Sequence, residues 1–177
     1  MSTLVKNVLR FVLLILVQFY VLDKVHLHRM VTPYIYFLFI LWMPFKLNRS
    51  VQMILAFLLG FTLDSFRHSP GFHAAACVLI AYIRPFLINI LIPREGADSN
   101  YEEPSARSMG GFFQYLTYAS VLTLVHHGWL FFLEAWEFGD IWYFLLKTLL
   151  STIISVVLVL IAEALFSRKQ KFRTNTV

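Results

Sequence analysis

From Ile141 to Phe166 the chain carries only two charged residues, Lys147 and Glu163, in an otherwise apolar run. A helix rises about 1.5 Å per residue and the hydrocarbon core of a bilayer is about 30 Å thick, so about 20 such residues cross it. This stretch is long enough, and it is not alone. Apolar segments also cover 4–22, 31–45, 51–65, 72–92 and 112–133. The whole chain is 59% hydrophobic and 14% charged, whereas ordinary soluble domains are roughly 45–50% apolar and about 25% charged. These features imply a single all-α polytopic membrane domain over 1–177, a bundle of about six transmembrane helices of unequal length, and exclude a separate soluble domain.

Lys6 and Arg10 ahead of an apolar stretch suggest a signal peptide, but no small-residue cleavage site follows Leu22, so an uncleaved first helix is expected. Segments 31–45 and 51–65 are the shortest. Runs of about 10 to 14 apolar residues also suit re-entrant or interfacial segments. Pro33 fits a first helical turn and Pro44 a last one. The tight turn Lys46, Leu47, Asn48, Arg49 joins the two segments as a hairpin. Losing a hairpin leaves the parity of crossings unchanged, so both termini lie on one side either way.

Orientation follows from Lys and Arg in the connecting segments, because cytoplasmic loops retain positive charge. Lys6, Arg10, Lys46, Arg49, Arg94, Arg107 and the tail residues Arg168, Lys169, Lys171 and Arg173 fall on one side; Lys24, Arg29 and Arg67 fall on the other. Both termini, the loop 93–110 and the basic tail 167–177 are therefore expected in the cytoplasm. The tail reads as a topological anchor near anionic lipid.

Charges inside a bilayer are costly and mark functional sites by default. Arg84 precedes Pro85, and a turn there would put Arg84 at the cytoplasmic interface. Lys147 and Glu163 lie sixteen positions apart, roughly 24 Å along one helix, and so cannot pair with each other; snorkelling to opposite interfaces accounts for both. His126 and His127 are adjacent, point about 100° apart and are read as packing residues. Cys77 is the single cysteine, which excludes an intramolecular disulfide, and it sits among alanines as a packing residue.

The segment from Gly60 to His73 links the third and fourth helices. Ser69, Pro70 and Gly71 make a turn, and Asp64 is placed to accept hydrogen bonds from Arg67, from His73 or from backbone amides at a helix start. Asp64, His68 and His73 also form a conceivable zinc or iron set, although no motif of metal-binding spacing supports it. No metal and no cofactor is expected. After the turn, Gly71 and Ala75, then Cys77 and Ala81, put small residues four apart, a spacing that lets membrane helices approach closely.

The stretch from Gly60 to His73, followed by Ala74, Ala75, Ala76 and then Arg84 and Pro85, resembles the rod shape-determining protein MreD family. Asp64, Pro70 and Gly71 match its pattern of an acidic residue after a glycine near a helix end, then a Pro or Gly turn into a helix of small residues. The likeness at the level of residues is confined to this central stretch. It implies a non-enzymatic scaffold of the bacterial elongation (rod) complex in the inner membrane, with a fold similar to the substrate-binding subunits of vitamin-uptake transporters. It implies as partners an MreC-like periplasmic scaffold, the MreB filament, the RodA glycosyltransferase and its transpeptidase partner, and no nucleic acid. Asp64, Arg67, His68, Ser69, Pro70, Gly71 and His73 carry over as a structural or partner-contact turn. Two other functions remain open from the residues: a solute-binding subunit of a vitamin-type transporter and, on Asp64, His68 and His73, an intramembrane metalloenzyme.

Overall fold

A computed structural model describes residues 3–24, 31–92, 102–134 and 141–166 of the chain. The elements run α1 (Thr3–Tyr20), a 3-10 turn (Leu22–Lys24), α2 (Leu38–Leu41), α3 (Arg49–Arg67), α4 (Phe72–Leu91), α5 (Phe112–Glu134) and α6 (Ile141–Phe166). Five of these are long and apolar enough to cross a membrane: α1, extended through the 3-10 turn, and α3 to α6. Their outward faces carry Leu9, Ile54, Ile90, Ile153 and Leu165, all exposed. A continuous apolar exterior of this kind suits lipid rather than water. The protein is thus an all-α chain built for several membrane crossings.

The third segment is longer than the apolar run 51–65 implies. Asn48 opens the helix and His68, in the left-handed conformation at φ 54°, closes it, so that 19 residues are helical. Polar Gln52 and Asp64 are incorporated on its buried side.

Segment 31–45, expected as a second helix, is not one. Only Leu38–Leu41 are α-helical, and the chain before them runs irregularly into the core. Near its start, Pro33 and Ile35 bond to Gln18, close to the end of α1. Near its finish, Trp42 lies under the Arg10 guanidinium and Phe45 N donates to Glu102 O, next to the Glu103 that binds Lys6 and Arg10. The segment therefore returns antiparallel to α1 over roughly 18 Å, the rise of α1 from Lys6 to Gln18. The antiparallel return is kept although the helix is not, and the beginning of α1 and the end of α6 lie at the same end of the bundle, where Trp42 packs against Phe166.

Non-helical backbone at membrane depth is tolerated only where protein surrounds it and satisfies its polar groups. Side chains do so here. Ser151 and Ser155 of α6 accept Thr32 N and Tyr34 N, both at 3.0 Å, and Gln18 of α1 both accepts Ile35 N and donates to Pro33 O. Further along, Tyr118 of α5 donates to Leu41 O, Arg84 of α4 to Met43 O, and Gln52 of α3 to Leu47 O. Tyr34, Tyr36, Phe37, Leu38, Ile40 and Leu41 are each almost wholly buried. Their apolar bulk explains why the sequence reads as a spanning helix, and the serines and glutamine supplied by other helices explain why it need not be one.

The turn expected at Pro85 is not formed. Helix α4 continues through Pro85 to Leu91 without a turn, because Leu87, Ile88 and Leu91 beyond the proline still pack on the core. Arg84 is consequently packed inside the protein, 1% exposed. Its Nε and Nη1 donate to Tyr118 Oη and Gln52 Oε1, both at 2.9 Å, and its Nη2 to Met43 O.

Lys147 and Glu163 likewise have protein partners instead of merely reaching for water. Lys147 pairs with Glu134 across the α5–α6 ends at 2.9 Å and lies over the Phe131 ring. Glu163 accepts Ala106 N from the loop before α5. Of the loop 93–110, residues 93–101 lie outside the described residues; Glu103, Pro104, Ser105, Ser108 and Met109 fold into the bundle end. The basic tail 167–177 also lies outside them.

The closest helix approach is between α3 and α4, but not on the small residues read from the sequence. A Cβ on Gly60 would stand 2.4 Å from Ala74 Cα, so Gly60 is what lets the two backbones touch. Cys77 and Ala81 are fully buried as expected, whereas Ala75 is exposed and Gly71, at φ +95°, serves the turn, with open space where its Cβ would be. Of the two small-residue pairs, Cys77 and Ala81 thus face the core and Gly71 and Ala75 do not.

Candidate functional site

The corner between α3 and α4 gathers most of the sequence-selected residues. Gly71 precedes α4 and has no side chain to cap it, which leaves the first amide groups of the helix without partners. Asp64, one turn before the end of α3, supplies the cap from the neighbouring helix. Its Oδ1 accepts His73 N at 3.1 Å and its Oδ2 accepts Ala74 N at 2.9 Å. A carboxylate at a helix start is also favoured by the helix dipole. Ser69 Oγ donates to Oδ1 at 2.5 Å, and His73 Nδ1 stands 2.8 Å from the same oxygen.

Arg67 does not bond to Asp64, the first of the partners expected for it. Its Nε meets Asp23 Oδ2 at 3.1 Å, and its Nη1 donates to Tyr34 Oη at 2.8 Å and to His73 Nε2 at 2.9 Å. Because a guanidinium has only donors, Nε2 of His73 must accept, which assigns the proton to Nδ1 and makes it the donor to Asp64. One network thus joins the end of α1 through Asp23, the return segment through Tyr34, and the α3–α4 corner.

This hydrogen bonding limits the chemistry available. Both ring nitrogens of His73 are engaged, and Asp64 and His73 are 3% and 2% exposed. Ser69 and Asp64 approach the same nitrogen of His73, so the three do not form a nucleophile–base–acid relay, which needs opposite nitrogens. His68 is turned outward in its left-handed conformation and stands apart from the Asp64–His73 pair. Among the described residues no three potential metal ligands are gathered.

Outside the polar core, the corner presents a different surface. Phe61, Ser65, His68 and Pro70 are exposed, and a groove of about 880 Å³ runs between α3 and α4, walled by Phe57, Phe61, His68, Pro70 and Val78, with Asp64 and Ser69 at its base. The turn residues therefore divide: Asp64, Arg67, Ser69 and His73 hold the corner, while His68 and Pro70 face outward.

His126 and His127 are buried as expected and point to different partners. His126 Nε2 meets Tyr36 Oη at 2.8 Å and its ring stacks on Phe37. His127 Nδ1 donates to Thr123 O, so its Nε2 accepts from Ser155 Oγ, which in turn accepts Tyr34 N. Sequence reasoning missed Gln18, Asp23, Tyr34, Ser151 and Ser155 as members of this framework. A signal was present: Gln18 is a polar interruption in an apolar run, and Ser151 and Ser155 are four apart on one helix face. Compared with known protein families, with curated proteins and with solved structures, the chain matches none.

Proposed function

We propose that this protein is a non-enzymatic, MreD-like membrane scaffold of the bacterial elongation complex, and that it binds an MreC-like partner through the groove at the α3–α4 corner. The observation that carries this reading is the division of labour in the turn. Asp64 and His73 direct their hydrogen bonds into the fold, and Phe57, Phe61, His68 and Pro70 are left to border an exposed groove. A site whose acid and imidazole are committed to structure suits recognition better than catalysis.

In this reading both termini are cytoplasmic, in the bacterial inner membrane, and the corner faces the periplasm, where an MreC-like scaffold would meet it. The excess of Lys and Arg on the opposite side supports that orientation. MreB, RodA and its transpeptidase partner would then be assembled through the complex, and peptidoglycan synthesis and cell shape would be the outputs.

The test is co-purification with the MreC-like protein of the same genome in mild detergent. The wild-type chain should retain it, and His68→Glu combined with Phe61→Ala, both on exposed positions, should reduce the retained partner several-fold without lowering thermal stability. Failure of the wild-type chain to retain the partner, where other membrane complexes survive, would refute the proposal.

A further inference from the structure

Along α1 and α6, with its cationic end opposite the corner, lies a second groove of about 600 Å³. Its walls are apolar, with Leu13 and Val17 on α1 and Leu158 and Leu165 on α6, and the return segment forms its floor through Leu38 and Trp42. Among the described residues no acidic one lines it. Among the described residues its only charged ones, Lys6 and Arg10, sit together at the start of α1, so that cations mark one end of an otherwise hydrocarbon-like channel.

Among the described residues those two cations are ion-paired to a single carboxylate. Lys6 Nζ and Arg10 Nη1 each take one oxygen of the single carboxylate of Glu103, at 2.9 and 2.8 Å. Glu163 also stands near Arg10, but among the described residues it forms no ion pair with either cation, and the side chains of Lys6 and Arg10 remain 42% and 20% exposed. An ammonium has three donors and a guanidinium five, so each retains donors beyond its bond to Glu103. Trp42 lies under the Arg10 guanidinium with 5.0 Å between guanidinium carbon and ring centroid, which places an indole where headgroup and acyl chain would meet.

We propose that this groove is a binding site for an anionic phospholipid, with an acyl chain between α1 and α6 and the phosphate at Lys6 and Arg10. The order of chemistry along the groove, cationic at the membrane surface and apolar inward, is that of a lipid molecule read from head to tail. The lipid would fill the gap between two helices that reach each other chiefly through the return segment, and would brace α1 against it. The cationic end of the site lies opposite the corner, and the site does not depend on the function assigned there.

Trp42 makes the proposal directly measurable. With Trp129, Trp136 and Trp142 replaced by Phe, Trp42 is the sole tryptophan, and bromine on an acyl chain in contact with it quenches its fluorescence. The chain is reconstituted into vesicles containing a small fraction of brominated phosphatidylglycerol or brominated phosphatidylcholine in an unlabelled phosphatidylcholine background. Apparent affinity for the anionic lipid should exceed that for the zwitterionic one by about five-fold, the factor expected for one Lys or Arg near an anionic membrane surface. Lys6→Gln should remove most of that preference, and Ala162→Phe, which narrows the groove from α6 without altering charge, should weaken quenching by both lipids. Equal quenching by the two lipids in the Trp42-only chain would mean only bulk lipid contact and would overturn the proposal. Absence of quenching by either, as when a second copy or another helix occupies the groove, would overturn it as well.

Discussion

The carboxylate of Asp64 accepts the Nδ1 proton of His73, nine residues further along the chain, at 2.8 Å, and with the amides of His73 and Ala74 this closes the corner between α3 and α4. Asp64→Ala removes every one of these acceptors from a buried position. Because buried donors left unpaired cost about 1–3 kcal/mol each and the site relaxes in part, a loss of about 2–4 kcal/mol is expected. Asp64→Asn keeps one oxygen and should lose about half as much. Thermal unfolding in detergent checks the order; an Asn variant no more stable than the Ala variant would contradict the capping role.

Gly60 should tolerate no side chain. Its missing Cβ would meet Ala74 backbone at 2.4 Å, and backbone cannot swing aside as a side chain can. Gly60→Ala is expected to destabilise by about 1–3 kcal/mol, and Gly60→Leu to prevent recovery of folded protein. The same measurements on Gly71→Ala separate close packing from backbone conformation, since Gly71 has open space around it and only its positive φ is strained.

Arg84 binds Met43 O, Gln52 and Tyr118 at once, and none of these three partners carries a negative charge. Lysine has the charge but not the fork, so Arg84→Lys should lose about 2 kcal/mol or more, because two of the three acceptors are abandoned. Arg84→Met should be no better, as it leaves the same carbonyl unpaired. If Arg84→Lys had the wild-type melting temperature, a purely electrostatic role would replace the geometric one.

Ser155 connects Tyr34 N to His127 Nε2. Ser155→Ala should therefore cost about 1–2 kcal/mol despite the small change in volume, whereas Ile153→Ala, on the exposed face of the same helix, should cost little. Cys77, fully buried, offers the readout: its thiol should resist a membrane-permeant maleimide in the folded protein and react as the chain unfolds. Prompt labelling of the native wild-type chain would show that α4 is less tightly packed than described.

Orientation can be read with cysteines in a Cys77→Ala background. His68→Cys, on the exposed corner, should react with an impermeant maleimide added to intact cells, and Lys46→Cys only after permeabilisation. The reverse pattern would invert the topology and remove the periplasmic assignment of the corner.

Much of this architecture is legible from residue order. The long apolar runs 72–92, 112–133 and 141–166 match α4, α5 and α6 closely, because a spanning helix satisfies its own backbone and needs only length and apolarity. Asp64 and the Ser69–Pro70–Gly71 turn are legible for a similar reason: caps and turns are local. Segment 31–45 is not, since its hydropathy is that of a helix and its conformation depends on Gln18, Ser151, Ser155, Tyr118 and Arg84, which lie far off in sequence. The setting of Arg84 is not legible either, because what holds a guanidinium inside the protein is the acceptors of that same unwound segment.

The sequence by itself determined that the chain carries several apolar helices long enough to cross a membrane and that a polar corner links two of them. Those properties follow from the solvent the side chains require and from short-range hydrogen bonding. Only the tertiary structure decided that segment 31–45 returns along α1 as irregular chain, that Asp64 and Arg67 serve different partners, and that Gly60 rather than Gly71 brings α3 and α4 together. Each of these depends on which distant side chains arrive within hydrogen-bonding or van der Waals reach, and that is settled only when all the helices have packed.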